Sequence, residues 1–172
     1  MKNPFIKNFQ RGKEMKNQSV CFTGHRDISP ELIPEIREKL NMLLIQLIEK
    51  GYTDFYNGGA IGFDMLSAEA VLSLKATYPH IRLHIIVPCA NQSKRWSIGN
   101  IERYEKIINA ADEVKCLSPV YFQGCMQVRN RYMVDNSSLC IAYLERDTGG
   151  SAATAKYAEK QGKKVINIFD NL

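Results

Sequence analysis

The sequence predicts an α/β fold, a three-layer Rossmann-like sandwich in which a mainly parallel sheet carries helices on both faces. Six short β-prone segments alternate with segments of helical periodicity from residue 19 onward, which is the pattern of βαβ units. Because βαβ crossovers are right-handed, the helices cover the two faces of one sheet. The length of the chain, 172 residues, also suits one compact domain.

The first half of the chain predicts three strands and two helices. A strand over 19–23 ends at Gly24, and a helix over 32–50 is indicated by apolar residues at helical spacing, with Gly51 to stop it. A strand over 54–56 enters a glycine-rich turn, and a helix over 63–77 follows, with Pro79 beyond its end. The strongly β-prone segment 82–87 is closed by Pro88.

The second half repeats this alternation. A helix is predicted over 96–110, a short strand over 113–117, and a helix over 126–135 after the loop at Ser118-Pro119. An apolar strand over 138–144, an alanine-rich helix over 150–161 and a last strand over 164–169 complete the predicted sheet.

Charge divides the chain into a tail and a body. Residues 1–18 carry a net charge of +4 and are predicted to be a flexible basic tail, whereas residues 19–172 carry +1 and form the predicted domain. A near-neutral body argues against duplex DNA as a partner. No apolar stretch is long enough for a membrane span and no apolar signal region is present, so we expect a cytoplasmic protein without a membrane partner.

The cysteine and histidine patterns predict neither a metal site nor a cofactor. The five cysteines include no CxxC pair, and His25, His80 and His84 are widely dispersed. Free cysteines in apolar segments fit a reducing compartment.

The turns that follow the first two strands carry candidate binding residues. Ligands of open α/β sheets bind at the carboxyl ends of the strands, where this chain places Thr23-Gly24-His25-Arg26. Glycine allows close approach of a ligand, and arginine offers a planar fork for phosphate or carboxylate. After the second strand comes Gly58-Gly59-Ala60-Ile61-Gly62-Phe63-Asp64, whose glycines open a helix and predict an anion site. Asp64 either accepts from a ribose hydroxyl or caps N–H groups.

The turn after the fifth strand has the same design. Gly149-Gly150-Ser151 leads into a helix that also carries Thr154, and these hydroxyls can donate to phosphate oxygens. Two glycine-rich strand-to-helix turns and Gly24 together predict a phosphate-bearing or nucleotide-like ligand. Of Arg129 and Arg131, at most one is expected to face the site, because neighbouring helical residues point in different directions. Trp96 and Tyr104 are expected on one helical face, more typical of core than of base stacking.

The ordered set of these residues resembles the YpsA-like branch of the SLOG superfamily, which includes the DprA/Smf proteins and the LOG phosphoribohydrolases. The matching segments span residues 19–170; they are Thr23-Gly24-His25-Arg26, Gly58-Gly59-Ala60 with Gly62 and Asp64, Gln92 with Trp96 and Tyr104, Arg129-Asn130, and Gly149-Gly150. The resemblance implies a Rossmannoid domain that binds nucleotides or nucleotide-derived ligands. The residue chemistry and the resemblance together predict fourteen ligand-binding residues: Gly24, His25, Arg26, Gly58, Gly59, Ala60, Gly62, Asp64, Arg129, Asn130, Gly149, Gly150, Ser151 and Thr154.

One departure from the LOG pattern bears on activity. LOG enzymes cleave the N-glycosidic bond of nucleoside 5′-monophosphates with a glutamate that follows their glycine motif, and Lys156 or Tyr157 stands there in this chain. A facing carboxylate stabilises the oxocarbenium-like charge of such a reaction. The sequence therefore favours a ligand-binding or sensing module. There are two alternatives. One is LOG-like hydrolysis with Asp64 as a base, and the other is DprA-like binding of single-stranded DNA. The expected partner is a small nucleotide-like ligand. The sequence does not decide whether the chain also binds a second copy of itself or another protein.

Overall fold

The computed structural model describes residues 18–172, so all but the last residue of the predicted basic tail lies outside the described residues. Six strands form one sheet in which every pairing is parallel. They are β1 (Ser19–Gly24), β2 (Asp54–Asn57), β3 (Arg82–Val87), β4 (Glu113–Cys116), β5 (Leu139–Tyr143) and β6 (Lys164–Asn167).

Five α-helices connect the strands of this sheet. They are α1 (Ile33–Glu49), α2 (Phe63–Leu74), α3 (Ile98–Ala110), α4 (Cys125–Asp135) and α5 (Gly150–Lys160), and 3₁₀ turns occupy Pro30–Leu32 and Ile168–Asn171. The predicted fold class, a Rossmann-like α/β sandwich with a parallel sheet, is confirmed.

The order of the strands creates a switch point in the middle of the sheet. The order is β4-β3-β2-β1-β5-β6, so the chain proceeds outward from β1 to β4 and then returns to place β5 on the other side of β1. Crossovers leave this sheet in opposite directions at β1, and such a reversal opens a crevice beyond the carboxyl ends of the neighbouring strands. The crevice lies where Gly24 of β1 is paired with Tyr143 of β5.

Alternation along the strands builds a separate core on each face. On one face, Val20 and Phe22 of β1 pack in a large cluster with buried residues of α1, α2 and α3. On the other face, Cys21 and Cys140 belong to a smaller cluster with residues of α4 and α5. Side chains on a strand alternate between faces, so the same short strand supports both cores.

Most predicted boundaries agree with the structure to within one residue, and three differ by more. The helix predicted over 63–77 ends at Leu74, because the chain passes into turns over residues 75–77. The helix predicted from residue 96 begins at Ile98, because the Ser97 side chain caps it by accepting a hydrogen bond from the backbone N–H of Asn100. Trp96 therefore belongs to the run of turns over residues 88–97. The last strand ends at Asn167, whose side chain accepts from the N–H of Phe169 and starts a 3₁₀ turn.

All five cysteines are present as thiols. Among residues 18–172, no helix has both the length and the apolar character needed to span a bilayer.

Candidate functional site

A cavity of about 370 Å³ lies at the carboxyl edge of the sheet, beside the switch point. It is bounded by the turns after β1, β2 and β5, by residues that follow β3, and by the start of α4. The cavity is lined by Gly24, Arg26, Ala60, Ile61, Gln92, Trp96, Met126, Arg129, Asn130, Gly150 and Ser151. We call this space the central cavity. Seven of the fourteen predicted ligand-binding residues line it.

The turn between β2 and α2, residues 58–62, is packed inward and is called the first glycine turn. A β-carbon on Gly58 would lie 2.5 Å from Nη1 of Arg129, and one on Gly59 would lie 3.0 Å from the Tyr104 ring. Gly62 has a φ of +91°, and a β-carbon on it would collide with the backbone of His25 and Arg26. The glycines of this turn therefore make room for other groups of the protein. Of the predicted binding residues in the turn, Ala60 lines the central cavity.

Asn57, the last residue of β2, fixes the shape of the first glycine turn through its side-chain hydrogen bonds. Its buried amide donates to the backbone carbonyl of Asp64 and to Oγ of Ser67, and its carbonyl oxygen accepts from the N–H of Gly59 at 2.7 Å. The Phe63 N–H donates to the carbonyl of His25. The amino terminus of α2 is therefore covered by the preceding turns.

Arg129 joins the first glycine turn to the rest of the site. Its side chain is buried, and Nη1 donates to the carbonyl of Gly58 at 2.8 Å and to Oε1 of Gln92 at 3.2 Å. Nε donates to Oδ1 of Asn130 at 2.7 Å. Arg131 points away and its guanidinium packs over the Tyr157 ring. Arg129 thus forms one wall of the central cavity while much of its hydrogen-bonding capacity serves the protein.

Asp64 lies behind Arg129 rather than in the lining of the central cavity. Its carboxylate accepts from the N–H of Ala60 at 3.3 Å, which is the capping role of the two that the sequence left open. Burial raises the pKa of Asp64 to about 6, although the charge of Arg129 and the N–H groups of Ala60 and Gly58 act in the opposite direction. The Asp64 charge partly balances the buried guanidinium.

The turn between β5 and α5, residues 147–151, is open and is called the second glycine turn. Added β-carbons at Gly149 and Gly150 would meet nothing within 4 Å, and both residues are exposed. Gly149 has a φ of +92°, and α5 begins immediately after it without a side-chain cap. The first N–H groups of a helix have no intrahelical partner and carry the positive end of its dipole. Gly150 and Ser151 bring this helix start to the central cavity.

The turn after β1 supports the second glycine turn. Oγ of Ser151 donates to the carbonyl of Gly24 at 2.7 Å. His25 is buried, and its Nε2 accepts from the N–H of Arg146 at 3.3 Å. Burial and the charge of Arg146 lower the pKa of His25, which favours the neutral, accepting imidazole. Predicted as a ligand-binding residue, His25 is placed by the structure under the loop, whereas the exposed Arg26 borders the central cavity.

Asn130 and Thr154 link the two helices of the smaller face. Nδ2 of Asn130 donates to Oγ1 of Thr154 at 3.0 Å, and Thr154 donates to the carbonyl of Gly150 at 2.8 Å. Asn130 borders the central cavity, whereas Thr154 is absent from its lining and borders a side cleft of about 80 Å³ between α4 and α5.

No carboxylate is among the described residues that line the central cavity. Of the positions compared with the LOG glutamate, Lys156 forms an ion pair with Asp147, and the Tyr157 hydroxyl donates to Asp135. Glu159, the carboxylate nearest to these positions on α5, lies in a different groove, beside Val165 and Asp170. The walls of the site are therefore cationic, neutral polar and apolar, without a negative charge among the described lining residues.

Four lining residues were absent from the predicted binding set: Ile61, Gln92, Trp96 and Met126. Spacing could have identified Met126, because it precedes Arg129 and Asn130 by three and four positions on one helix. Trp96 packs edge-on against Tyr104, with ring centroids 5.2 Å apart, and it borders the cavity from a loop rather than from the expected helix.

Comparison with known proteins places this arrangement in a class. The sequence model of the YspA SLOG family matches residues 20–169. A UPF0398 protein of Halalkalibacterium halodurans is 31% identical over 143 residues, which are 80% of this chain and 76% of that protein. The Rossmann-like fold with a cavity at its switch point is thus that of the SLOG superfamily. Within it, this chain belongs to the YpsA family, and the resemblance drawn from its motifs is confirmed.

Two solved structures share the fold at low sequence identity. DNA processing protein A of Helicobacter pylori, described for its single-stranded DNA binding mode, aligns with a TM-score of 0.62 and 20% identity, covering 89% of this chain and 66% of that one. DprA of Streptococcus pneumoniae aligns with a TM-score of 0.61 and 18% identity, covering 92% and 54%. This chain spans just under two thirds of the first structure and about half of the second.

Proposed function

We propose that the central cavity binds a phosphate-bearing nucleotide or nucleotide derivative, and that residues 19–172 act as a binding or sensing domain. The observation that carries the proposal is the lining itself: two arginines and the start of α5 surround a cavity that no described carboxylate borders. An uncapped helix start and nearby guanidinium groups favour an anion. The exposed Arg26 has a fork available for a phosphate.

The shape of the site supports a ligand that places its phosphate at the second glycine turn. Gly150 faces open space, so a phosphate oxygen can approach the backbone N–H groups at the start of α5. At the first glycine turn, side chains and backbone of the protein already occupy the equivalent space. The base and sugar then extend toward Gln92 and Trp96, which border the same cavity.

Calorimetric titration with AMP and with adenosine tests this proposal. AMP should bind measurably and adenosine at least tenfold more weakly, because it lacks the phosphate. Gly150→Val should abolish AMP binding by blocking the approach to the backbone. Gly99→Val is the matched control, since Gly99 is a helical glycine that also faces open space and does not border the cavity. Unchanged AMP affinity in Gly150→Val would contradict the proposed site.

The same lining supports binding without N-glycosidic cleavage. Catalysis of the LOG type needs a carboxylate near the sugar, and Asp64 lies behind Arg129 instead. Incubation with AMP should therefore release no free adenine, as judged by chromatography. Release at about 1 per second, a rate within the enzymatic range, would contradict a binding role.

Single-stranded DNA binding is the second candidate, favoured by the fold shared with a Helicobacter pylori protein described as binding single-stranded DNA. Fluorescence anisotropy with a labelled oligothymidylate, measured at two salt concentrations, tests it. A steep loss of affinity with added salt would support this candidate, because several phosphates would be engaged.

A further inference from the structure

A second cavity adjoins the central cavity and is larger. Its volume is about 510 Å³, and it shares two lining residues, Gln92 and Met126, with the central cavity. The two spaces are therefore neighbouring compartments of one groove. We call the second space the outer compartment. Both volumes fall within the range of about 300–1,000 Å³ that small-molecule sites occupy.

Two loops form the walls of the outer compartment. One is the run of turns over residues 88–97, and the other is the segment 117–124 that leads into α4. The Ala90 N–H donates to the carbonyl of Ser118 at 3.2 Å, and the Leu117 N–H donates to the carbonyl of Val87 at 2.9 Å. These hydrogen bonds hold the two loops side by side, so the compartment is part of the folded framework.

The outer compartment combines positive charge with an exposed aromatic side chain. Lys94 and Arg95 line it and are exposed, and no carboxylate is among its described lining residues. Tyr121 also lines it and is 62% exposed, and Phe122 beside it is 44% exposed. Tyr121 and Phe122 therefore present adjacent aromatic rings to solvent, next to the positive charge of Lys94 and Arg95.

These properties match a particular chemical unit. A nucleotide offers a flat base for an aromatic ring and a phosphate for basic side chains. Asn91 and Gln92 add amide groups that can hydrogen-bond the edge of a base. A purely anionic ligand would leave Tyr121 without a contact, and a purely apolar one would leave Lys94 and Arg95 without a partner.

We propose that the outer compartment holds the second nucleotide unit of a dinucleotide-class ligand whose first phosphate lies in the central cavity. This inference rests on the proposed function and adds the size of the ligand to it. The base of the second unit stacks on Tyr121. The phosphate that links the second unit to the first passes Gln92 and Met126, where the two compartments meet, and contacts Lys94 and Arg95.

Calorimetry with three probes tests the inference: AMP, diadenosine diphosphate with its pyrophosphate linkage, and the phosphodiester dinucleotide pApA. At least one dinucleotide should bind tenfold or more tightly than AMP, on the order of what one stacked base contributes. The better of the two dinucleotides then identifies the linkage.

Variants show whether the gain comes from the outer compartment. Tyr121→Ala should reduce dinucleotide affinity about tenfold and leave AMP affinity unchanged, whereas Tyr121→Phe should keep the gain because the ring is retained. Arg95→Ala should weaken the dinucleotide alone. Lys164→Ala is its matched control, since Lys164 is an exposed cation at the start of β6, on the opposite edge of the sheet.

The outcomes separate this inference from the proposed function. Equal affinities for AMP and both dinucleotides would overturn the outer compartment while leaving the central cavity in place. Affinity that keeps rising from pApA to a twelve-nucleotide strand would overturn the dinucleotide class in favour of single-stranded DNA. If neither AMP nor a dinucleotide binds, the proposed function and this inference both fail.

Discussion

The two glycine turns of this molecule have similar sequences and opposite surroundings. Each follows a strand of the sheet and starts a helix. The first is packed against Arg129, Tyr104 and the turn after β1, so a β-carbon at Gly58, Gly59 or Gly62 would meet protein atoms. The second faces open space at Gly149 and Gly150. Glycine in the first turn admits the protein's own groups, and glycine in the second leaves room for a ligand.

The comparison separates two uses of one motif that sequence cannot distinguish. Both turns can expose backbone N–H groups at a helix start. In the first turn, the tertiary structure covers the start of α2 with the carbonyl of His25, while the start of α5 remains uncapped beside the central cavity. An anion is therefore expected at the second turn.

The largest expected effect on stability comes from Gly62→Ala. The added methyl group would collide with the carbonyl oxygen of Arg26, and a φ of +91° is unfavourable for alanine. We expect a loss of about 3 kcal/mol or more in the free energy of unfolding, measured by urea denaturation. Gly150→Ala should change it by less than about 0.5 kcal/mol. Equal losses in the two variants would erase the distinction between the turns.

Arg129→Lys should have the next largest effect, again on the first turn. Lysine keeps the charge but cannot donate to Gly58, Gln92 and Asn130 together as the guanidinium does. We expect a loss of about 2 kcal/mol in the free energy of unfolding, because buried carbonyl groups lose charged donors. Arg26→Lys is the matched control, since Arg26 is exposed and should leave the midpoint of urea denaturation in place. An unchanged midpoint for Arg129→Lys would contradict its structural role.

The stability of the folded protein should depend on pH through Asp64, whose carboxylate accepts a hydrogen bond from the first glycine turn. Burial raises its pKa to about 6 in the folded protein, against about 3.9 in an unfolded chain. Its contribution to stability is therefore fully present below about pH 4 and is lost as the pH rises through about 6, on the order of 3 kcal/mol in all. Asp64→Asn should remove this component, so the stability of the wild type should fall more steeply than that of the variant between pH 5 and pH 7.5. Parallel pH profiles would show that Asp64 does not titrate with a raised pKa.

The smallest expected free-energy change is in ligand binding at the cavity mouth. Arg26→Lys keeps a positive charge but loses the bidentate fork, so AMP affinity should fall roughly tenfold, or about 1.4 kcal/mol. Calorimetry measures this change, and Arg82→Lys is a suitable control because Arg82 is exposed at the start of β3, on the opposite edge of the sheet. Wild-type affinity in Arg26→Lys would mean that the Arg26 fork does not contact the phosphate.

The fold was predictable from sequence because its signals are local. Helical spacing, β-branched runs and punctuation by glycine and proline indicated all six strands and five helices in order. The start of α3 was misjudged by two residues, because the Ser97 cap was a weaker signal than the aromatic spacing of Trp96 and Tyr104. The switch point beside β1 followed from parallel crossovers only once the strand order was known.

The site was only partly predictable because burial decides it. Arg26 and Arg129 looked alike in the sequence, and the packing of α4 against the sheet buries one while the other stays exposed. Asp64 had two readings that only the position of the Ala60 N–H could separate. The outer compartment depends on two loops that are distant in sequence, and no local pattern joins Arg95 to Tyr121.

The most direct test of the difference between the turns is an AMP titration followed by the backbone amide signals in ¹H–¹⁵N NMR spectra. We expect the amide signals of Gly150 and Ser151 to shift progressively and saturate, since these residues lie at the helix start proposed to receive the phosphate. The amides of Gly59 and Gly62, which are packed within the protein, should move much less. The largest shifts at Gly59 and Gly62, with Gly150 and Ser151 unchanged, would contradict the account.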